Sequence, residues 1–209
     1  MSETKKTPDS NKVRDWIIES VLICVSILLA FALTNWGEQR TLDERTQSVM
    51  CNIRDEMAFN YDLLSNDYQT RHQGLIAYVE NTIERAEQEP EATRSQPLID
   101  RPILIENLRS TAWTLALETG YLLHVDFKSA TTVAAVYELQ EKSYKKTFER
   151  VVETLFANLT LEEPITVKQR KEILVLLREW YLQEKYLLNN YSDLMKQPFI
   201  EGMQCKKEA

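Results

Sequence analysis

An apolar stretch from Trp16 to Trp36 constrains the fold of this chain more than any other feature. It carries one charged residue, Glu19, and no charge at all between Val21 and Leu33. The two tryptophans are 20 residues apart, which in an α-helix corresponds to roughly 30 Å, the thickness of the hydrocarbon core of a bilayer. Tryptophan at both ends matches the aromatic belts of spanning helices. The stretch therefore predicts a transmembrane helix rather than a buried core helix.

A cleaved signal peptide is the alternative for the same segment. Residues 30–32, Ala-Phe-Ala, have the small-x-small form of a cleavage site and follow a basic N-terminal region. Against cleavage, Glu19 lies inside the apolar run, and the apolar pattern continues from Leu33 to Trp36. We expect an uncleaved signal-anchor, and cleavage stays open as the alternative.

The positive charges that flank the span predict its orientation. Four Lys and Arg residues precede it and two follow it within a comparable distance. Because cytoplasmic flanks carry the excess of positive charge, we expect a cytoplasmic tail at 1–15, a helix through the inner membrane at 16–36, and a periplasmic or otherwise extracytoplasmic remainder. These residues are Lys5, Lys6, Lys12 and Arg14 before the span, and Arg40 and Arg45 after it.

One face of the predicted span indicates self-association. Glu19, Ser26, Ala30 and Thr34 follow one another at spacings of 7, 4 and 4, so they share a helix face. Small residues at such spacing let helices approach closely in lipid, and we expect this face to form a homo-oligomer. In the alternative interpretation Glu19 only extends its carboxylate to the membrane surface.

The rest of the chain predicts an all-α fold. The 209 residues include only four Gly and six Pro, and 44% are apolar. Apolar residues recur at helical spacing after the span, for example at Ile53, Met57, Tyr61 and Leu64. We expect an antiparallel helical bundle over 37–197, with a loop at 89–102 and a flexible tail at 198–209. The predicted helices are 36–89, 103–119, 126–159 and one that begins after Thr166.

Local signals predict where several of these helices begin and end. Gly120 is a natural residue to end a helix in the left-handed conformation. Asp126 is expected to cap the next helix, and Thr166 with Gln169 forms a capping box. Gly74 marks a candidate kink in the first helix.

Few residues suggest chemistry. His72 and His124 are the only histidines, and neither has a carboxylate or cysteine at metal-ligand spacing, so we expect no metal and no other cofactor. Adjacent carboxylates such as Asp55–Glu56 and Glu162–Glu163 are interpreted as solvated charge. The net charge of −7 disfavours a nucleic-acid partner. We expect no enzymatic activity, because no nucleophile, base and orienting group can be assembled from the spacing.

The three cysteines fit no metal or redox motif. Cys24 lies within the apolar span. Cys51 and Cys205 could pair in an oxidising compartment, and the sequence leaves this pairing open.

Four segments together resemble a group of bacterial single-span, membrane-anchored helical proteins to which no activity is assigned. The resemblance covers residues 19 to about 145 and implies an anchor followed by a helical bundle. The segments are 19–40, 52–57, 111–120 and 136–144, with Asn35, Trp36, Glu38 and Arg40 in the first and Ala112, Trp113, Thr119 and Gly120 in the third.

A patch in the middle of the chain is a candidate binding site. It consists of Trp113, Glu118, Thr119, Asp126 and Tyr137, which would lie at one end of the bundle. The alternative is ordinary helix-turn-helix packing, with the tryptophan in the core and the polar residues at the helix ends.

These features favour a membrane-anchored, self-associating interaction or scaffold protein. Its expected partners are the bilayer, further copies of the chain and another envelope protein. A ligand-binding sensor module is the first alternative, and an oligomeric pore lined by the Glu19 face is the second.

Overall fold

A computed structural model describes residues 10–91, 96–103, 106–159 and 165–205 of the chain. This part of the chain is helical and contains no β-strand, as the sequence predicts. The helices are α1 (Ser10–Asp62), α2 (Gln69–Gln88), α3 (Thr111–Thr119), α4 (Phe127–Leu139), α5 (Lys146–Leu159), α6 (Val167–Met195) and α7 (Pro198–Glu201). A π-helical segment, Leu63–Tyr68, joins α1 to α2, and a second one, Gln140–Lys145, joins α4 to α5; a short 3₁₀ helix covers Tyr121–His124.

The chain divides into two compact units, residues 1–45 and 46–209, and α1 contributes to both. In the first unit the described side chains from Trp16 to Thr41 are all exposed, including large apolar ones such as Phe31 at 70%. Water would strongly disfavour so much uncovered apolar surface. By length and composition this helix can cross a membrane, and none of its most apolar stretch is buried in the protein.

The second unit has its core along α2, α5 and α6. Helix α6 packs against both of the others, and its Trp180, Leu187 and Tyr191 are fully buried. The predicted stripe on the first helix is confirmed at Ile53 and Met57, which are both 0% exposed.

The prediction of the apolar stripe on the first helix is wrong at one position. Tyr61 is 37% exposed, whereas the adjacent Asn60 is fully buried. The polar residue takes the inward position because its amide finds partners there, as described below.

The predicted helix ends are confirmed. Gly120 ends α3 with φ at +74°, in the left-handed region that favours glycine. The Asp126 carboxylate accepts a hydrogen bond from the Ser129 N–H at 2.9 Å and caps α4. Thr166 and Gln169 form the capping box of α6.

The candidate kink at Gly74 lies within the regular helix α2. The first long helix departs from regular α-helix earlier, at the π-helical segment Leu63–Tyr68. A Cβ at Gly74 would lie 2.8 Å from Arg101 Nη1, the end of a long side chain that is 39% exposed and can move aside.

The predicted helix at 103–119 is correct only for its second half. Helix α3 begins at Thr111, and the described residues before it, 96–103 and 106–110, are irregular. We call the described residues 96–103 and 106–110 the strap. Its backbone is held by side chains of the first helices, which removes the need for helical hydrogen bonds.

The predicted flexible tail is wrong for its first half. Residues Pro198–Glu201 form α7, and Ile200 is only 2% exposed. Cys205 forms a disulfide with Cys51, which joins the segment after α7 to α1 within the second unit. Residues 206–209 lie outside the described part, and Cys24 is a free, exposed thiol.

Candidate functional site

A buried carboxylate on α1 holds the start of α3. Glu56 is 8% exposed; its Oε2 accepts from the Ala112 N–H at 2.8 Å and its Oε1 from the Trp113 N–H at 3.3 Å. These are two of the N–H groups that a helix start leaves unpaired, and they favour a negative charge. The Tyr137 hydroxyl donates to Glu56 Oε1 at 2.7 Å. The interpretation of Glu56 as solvated charge is therefore wrong, although its neighbour Asp55 is exposed.

Glu56 affects the pKa of Tyr137, whose hydroxyl donates to it. Burial, and then the hydrogen bond to this carboxylate, raise the pKa of Tyr137 well above its ordinary value. The phenol therefore stays protonated and keeps donating across the accessible pH range.

Two further side chains hold the backbone of the strap. Asn60 Nδ2 donates to the Arg109 carbonyl and Asn60 Oδ1 accepts from the Arg109 N–H, both at 2.8 Å. Two turns after Asn60, the Tyr68 hydroxyl accepts a hydrogen bond from the Glu106 N–H at 3.0 Å. As residue numbers rise along the helix they fall along the strap, so the two segments run antiparallel. The side chains thus satisfy backbone groups that secondary structure would otherwise pair.

A buried ion pair continues this series. His72 is 1% exposed, and its Nε2 lies 2.9 Å from the Ile103 carbonyl, which can only accept. Nε2 therefore carries a proton, and Nδ1 faces the carboxylate of fully buried Glu184 on α6. Burial raises the pKa of Glu184, and the hydrogen bond from His72 opposes that rise. One proton shared between Nδ1 and the carboxylate leaves the pair neutral overall, as its burial demands.

A cavity of about 270 Å³ lies between the strap and the second π-helical segment. Both π-helical segments contribute to its wall, the first through Tyr68 and the second through four residues. Such segments occur frequently at functional sites, because the extra residue redirects side chains. We call this space the strap cavity; its lining comprises Tyr68, Glu106, Asn107, Leu108, Ser110, Gln140, Glu141, Tyr144, Lys145, Phe148 and Glu149.

The strap cavity combines aromatic walls with charged groups. Three aromatic rings line it together with three carboxylates and a single ammonium group, that of Lys145. Lys145 Nζ lies 2.8 Å from Glu141 Oε2, one turn earlier on the helix. That pair is about half exposed, so it contributes little to stability.

Polar atoms without partners lie in the core around Tyr144. This residue lines the strap cavity and is 5% exposed. Its hydroxyl, Trp180 Nε1 and Glu184 Oε1 are buried, and none of them makes a hydrogen bond of good geometry within the described residues. The three groups nevertheless lie close together, since Trp180 acts on Tyr144 as a side-chain hydrogen-bonding neighbour and Glu184 as a charged one. Burial, and then the charge of Glu184, raise the pKa of Tyr144 well above its ordinary value. Trp180 and Glu184 do not line the strap cavity, so this polar cluster belongs to the core.

The structure brings together two of the five residues in the predicted binding patch. The rings of Trp113 and Tyr137 stack at a centroid distance of 5.0 Å and an interplanar angle of 6°. Thr119 Oγ1 donates to the Leu115 carbonyl at 2.7 Å, and Asp126 is used as the cap of α4. Glu118 is exposed. These contacts support the packing alternative, because the two rings stack on each other and the Tyr137 hydroxyl and the Trp113 backbone N–H both donate to Glu56 of α1.

Sequence reasoning missed Glu56, Asn60 and Gln140. For Glu56 and Asn60 the available signal was their placement: residues 56, 60, 64, 68 and 72 are spaced by four, so they share a face with the buried Leu64. Polar residues within an apolar stripe indicate a buried polar partner. The identity of that partner depended on the path of the strap. For metals, the described residues contain no group of three or more potential ligands, and His124 is exposed.

No family model, curated protein or solved structure matches this chain. The resemblance to bacterial membrane-anchored proteins therefore stays a prediction. Function has to be inferred from the geometry of the chain itself.

Proposed function

We propose that this protein is a single-span membrane protein whose helical unit, an antiparallel bundle, binds a small molecule outside the reducing cytoplasm. The observation that carries this proposal is the strap cavity. It has walls from both π-helical segments and from a strap that buried side chains hold in place. A preformed, partly enclosed space with aromatic and charged walls is typical of small-molecule sites.

The disulfide supports a location of the helical unit outside the reducing cytoplasm. Cys51 and Cys205 both belong to the second unit and are bonded to each other. Disulfides persist in oxidising compartments and are rare where thiols are kept reduced. The excess of Lys and Arg before the span favours the same side for this unit.

Recognition rather than catalysis fits the groups in the cavity. The hydroxyl of Tyr68 and the amide of Gln140 already hold other parts of the protein. The ring of His72, which lies outside the cavity lining, is engaged at both nitrogens, to Glu184 and to the Ile103 carbonyl. We therefore propose a non-enzymatic sensor or carrier role for the site.

Self-association through the span is a second candidate function. Glu19, Ser26, Ala30 and Thr34 are all exposed on α1. The hydroxyls of Ser26 and Thr34 donate to carbonyls one turn earlier, at 2.8 and 3.0 Å, so the face needs no outside polar partner to pack closely. This function makes the protein a scaffold for an envelope partner. Crosslinking in native membranes tests it, and a purely monomeric pattern contradicts it.

The cavity proposal is tested by filling the cavity. Leu108→Trp adds an indole to the strap side of the lining, and Val175→Trp places the same ring on α6 at a residue that is 62% exposed. We expect the full-length protein, purified gently in a neutral detergent, to carry or bind small molecules detected by native mass spectrometry. The Leu108 variant is expected to lose them, and the Val175 variant to keep them.

Identical small-molecule profiles in both variants and the parent protein would contradict a ligand role for the cavity. The compartment is tested separately by trapping thiols in intact cells. Free thiols at Cys51 and Cys205 would contradict an extracytoplasmic location.

A further inference from the structure

We infer that the turn between α3 and α4 inserts its apolar side chains into the surface of the bilayer that holds the span. We call residues 120–127 the α3–α4 turn. Its partner is the boundary between the headgroups and the acyl chains of the lipids. This inference rests on the span, which is part of the proposed function, and it is independent of any ligand in the strap cavity.

Two large apolar side chains of the α3–α4 turn are almost completely exposed. Leu123 is 85% exposed and Phe127 is 82% exposed, and every described large apolar side chain of the span is less exposed than either. A single exposed apolar residue is ordinary on a protein surface. Two such residues only four positions apart, with polar residues beside them, are typical of a surface that contacts a membrane or another protein.

The exposure belongs to a turn whose backbone is fixed at both ends. Gly120 adopts a left-handed conformation, and its carbonyl accepts from the Leu123 N–H at 3.1 Å. At the other end Asp126 caps α4, so that Phe127 is the first residue of this helix. A surface that is already ordered loses little conformational entropy when it enters a contact.

Hydrogen bonds from α4 place the turn at one end of the second unit. The Tyr137 hydroxyl bonds to Glu56, and the Gln140 amide bonds to Asn60, so α4 runs alongside α1 in the same direction. Phe127 precedes Tyr137 by ten residues, which corresponds to roughly 15 Å of helix. The turn therefore lies level with the first residues of the second unit, at the end where the chain enters it.

The chain between this end and the span is short. Ten residues lead from Trp36, the last residue of the apolar run, to Thr46, the first residue of the second unit. Even a fully extended chain of this length reaches at most about 36 Å. This bound follows from chain length alone, and it keeps the end that carries the turn close to the lipid. Because the anchor supplies the proximity, a contact too weak to recruit a free protein is sufficient.

The charges around the turn favour apolar insertion over electrostatic attraction. Two carboxylates and one ammonium leave one negative charge, so anionic lipids gain no advantage here. Leucine and phenylalanine are side chains with which amphipathic segments enter the headgroup boundary, to a depth of roughly 5–10 Å. A neutral bilayer is therefore a sufficient partner. The charged side chains are Glu118, Asp126 and Lys128, all of them exposed.

Fluorescence quenching in nanodiscs of neutral phosphatidylcholine tests the contact on the full-length, oxidised protein. Leu123→Cys and Phe127→Cys, each in a Cys24→Ser background, carry an NBD label that nitroxides attached to the lipids can quench. Both positions are so exposed that a label fits without disturbing the core. We expect strong loss of fluorescence with nitroxides just below the headgroups, and less loss with nitroxides at the ends of the acyl chains.

Two control positions set the range of the measurement. Leu182→Cys in the same background is also exposed, at 64%, but it lies on α6 two residues before Glu184, whose partner His72 is on α2. Its label should keep its fluorescence with either nitroxide. A label on the native Cys24 of the parent protein lies within the apolar run and should be quenched most by the deep nitroxides.

The outcomes separate the lipid contact from the span and from other partners. Labels at the turn that are quenched no more than the label at Leu182, while Cys24 is quenched, would overturn the insertion and leave the span in place. An unquenched label at Cys24 would overturn the span and the inference together.

Two further results would assign the turn to a different contact. Crosslinking between unlabelled Leu123→Cys copies, with a label there that shifts to the blue but is not quenched by lipid, would show that a second copy covers the turn. Quenching that appears only after anionic lipid is added would show an electrostatic contact. Either result would overturn apolar insertion.

Discussion

Removing the disulfide between Cys51 and Cys205 should cost this protein a large part of its stability. The two cysteines are 154 residues apart. For a loop of that length, the chain-entropy relation gives about 17 cal/mol/K, or about 5 kcal/mol at 25 °C. A domain of the size of the second unit loses roughly 2–4 °C of Tm per kcal/mol, so the expected fall is about 10–20 °C.

The assay is thermal unfolding followed by circular dichroism on the full-length protein in a neutral detergent. The variant carries Cys51→Ser and Cys205→Ser in a Cys24→Ser background, because the free thiol of Cys24 could exchange with the disulfide. Cys24→Ser alone is the control and should unfold like the parent protein, since Cys24 is exposed and unpaired. Reduction of the control protein should reproduce the serine variant.

A much smaller change would refute the loop-closure reasoning. If the disulfide only holds the last residues in place, its loss would release α7 and no more. The cost would then be near that of exposing Ile200, about 1.5–3 kcal/mol, with a Tm fall of about 3–12 °C, so the free energy of unfolding decides between the two interpretations. Equal unfolding temperatures for the oxidised and reduced protein would contradict any stabilising role of the bond.

Three further predictions concern the polar groups. Glu56→Ala should destabilise the second unit by about 3 kcal/mol or more, because three donors lose their acceptor. Glu56→Gln should cost less, and chemical denaturation measures the free energy of unfolding of both variants. His72→Leu should cost about 3–5 kcal/mol by leaving the carboxylate of Glu184 uncompensated, and the double variant with Glu184→Leu should recover much of it, so an additive double variant would contradict a coupled pair. The hydrogen bond from Ser129 lowers the pKa of Asp126, so its stabilising effect is complete above the ordinary aspartate pKa and disappears as the pH falls through the lowered value. Asp126→Asn should remove this part of the acid dependence while it keeps the helix cap, and an unchanged acid limb of the stability curve would count against it.

The sequence by itself determined the features that depend on neighbours along the chain. The apolar run from Trp16 to Trp36 predicts a membrane-spanning helix from composition and length, and the structure has a helix there that can span. Gly120, Asp126 and Thr166 predict helix ends because a cap involves residues only a few positions away. Periodicity likewise located the buried stripe of the first helix at Ile53 and Met57.

The path of the strap was decided by tertiary contacts. The segment from 103 to 110 has a pattern that is compatible with a helix, and the prediction of helix was wrong for its described residues, 103 and 106–110. The groups that hold their backbone lie far away in sequence: Asn60 bonds to Arg109 across 49 residues and Tyr68 to Glu106 across 38. No local pattern reports such partners.

The same reason explains the remaining differences between prediction and structure. Glu56 looked like surface charge because its partners at Ala112 and Trp113 are 56 and 57 residues away. The pairing of Cys51 with Cys205 depends on two segments meeting that lie 154 residues apart. The strap cavity exists only because the strap, once held by α1, lies over the second π-helical segment. Local sequence sets which hydrogen bonds are available within a helix, and only the folded arrangement decides which distant side chains compete for the same backbone groups.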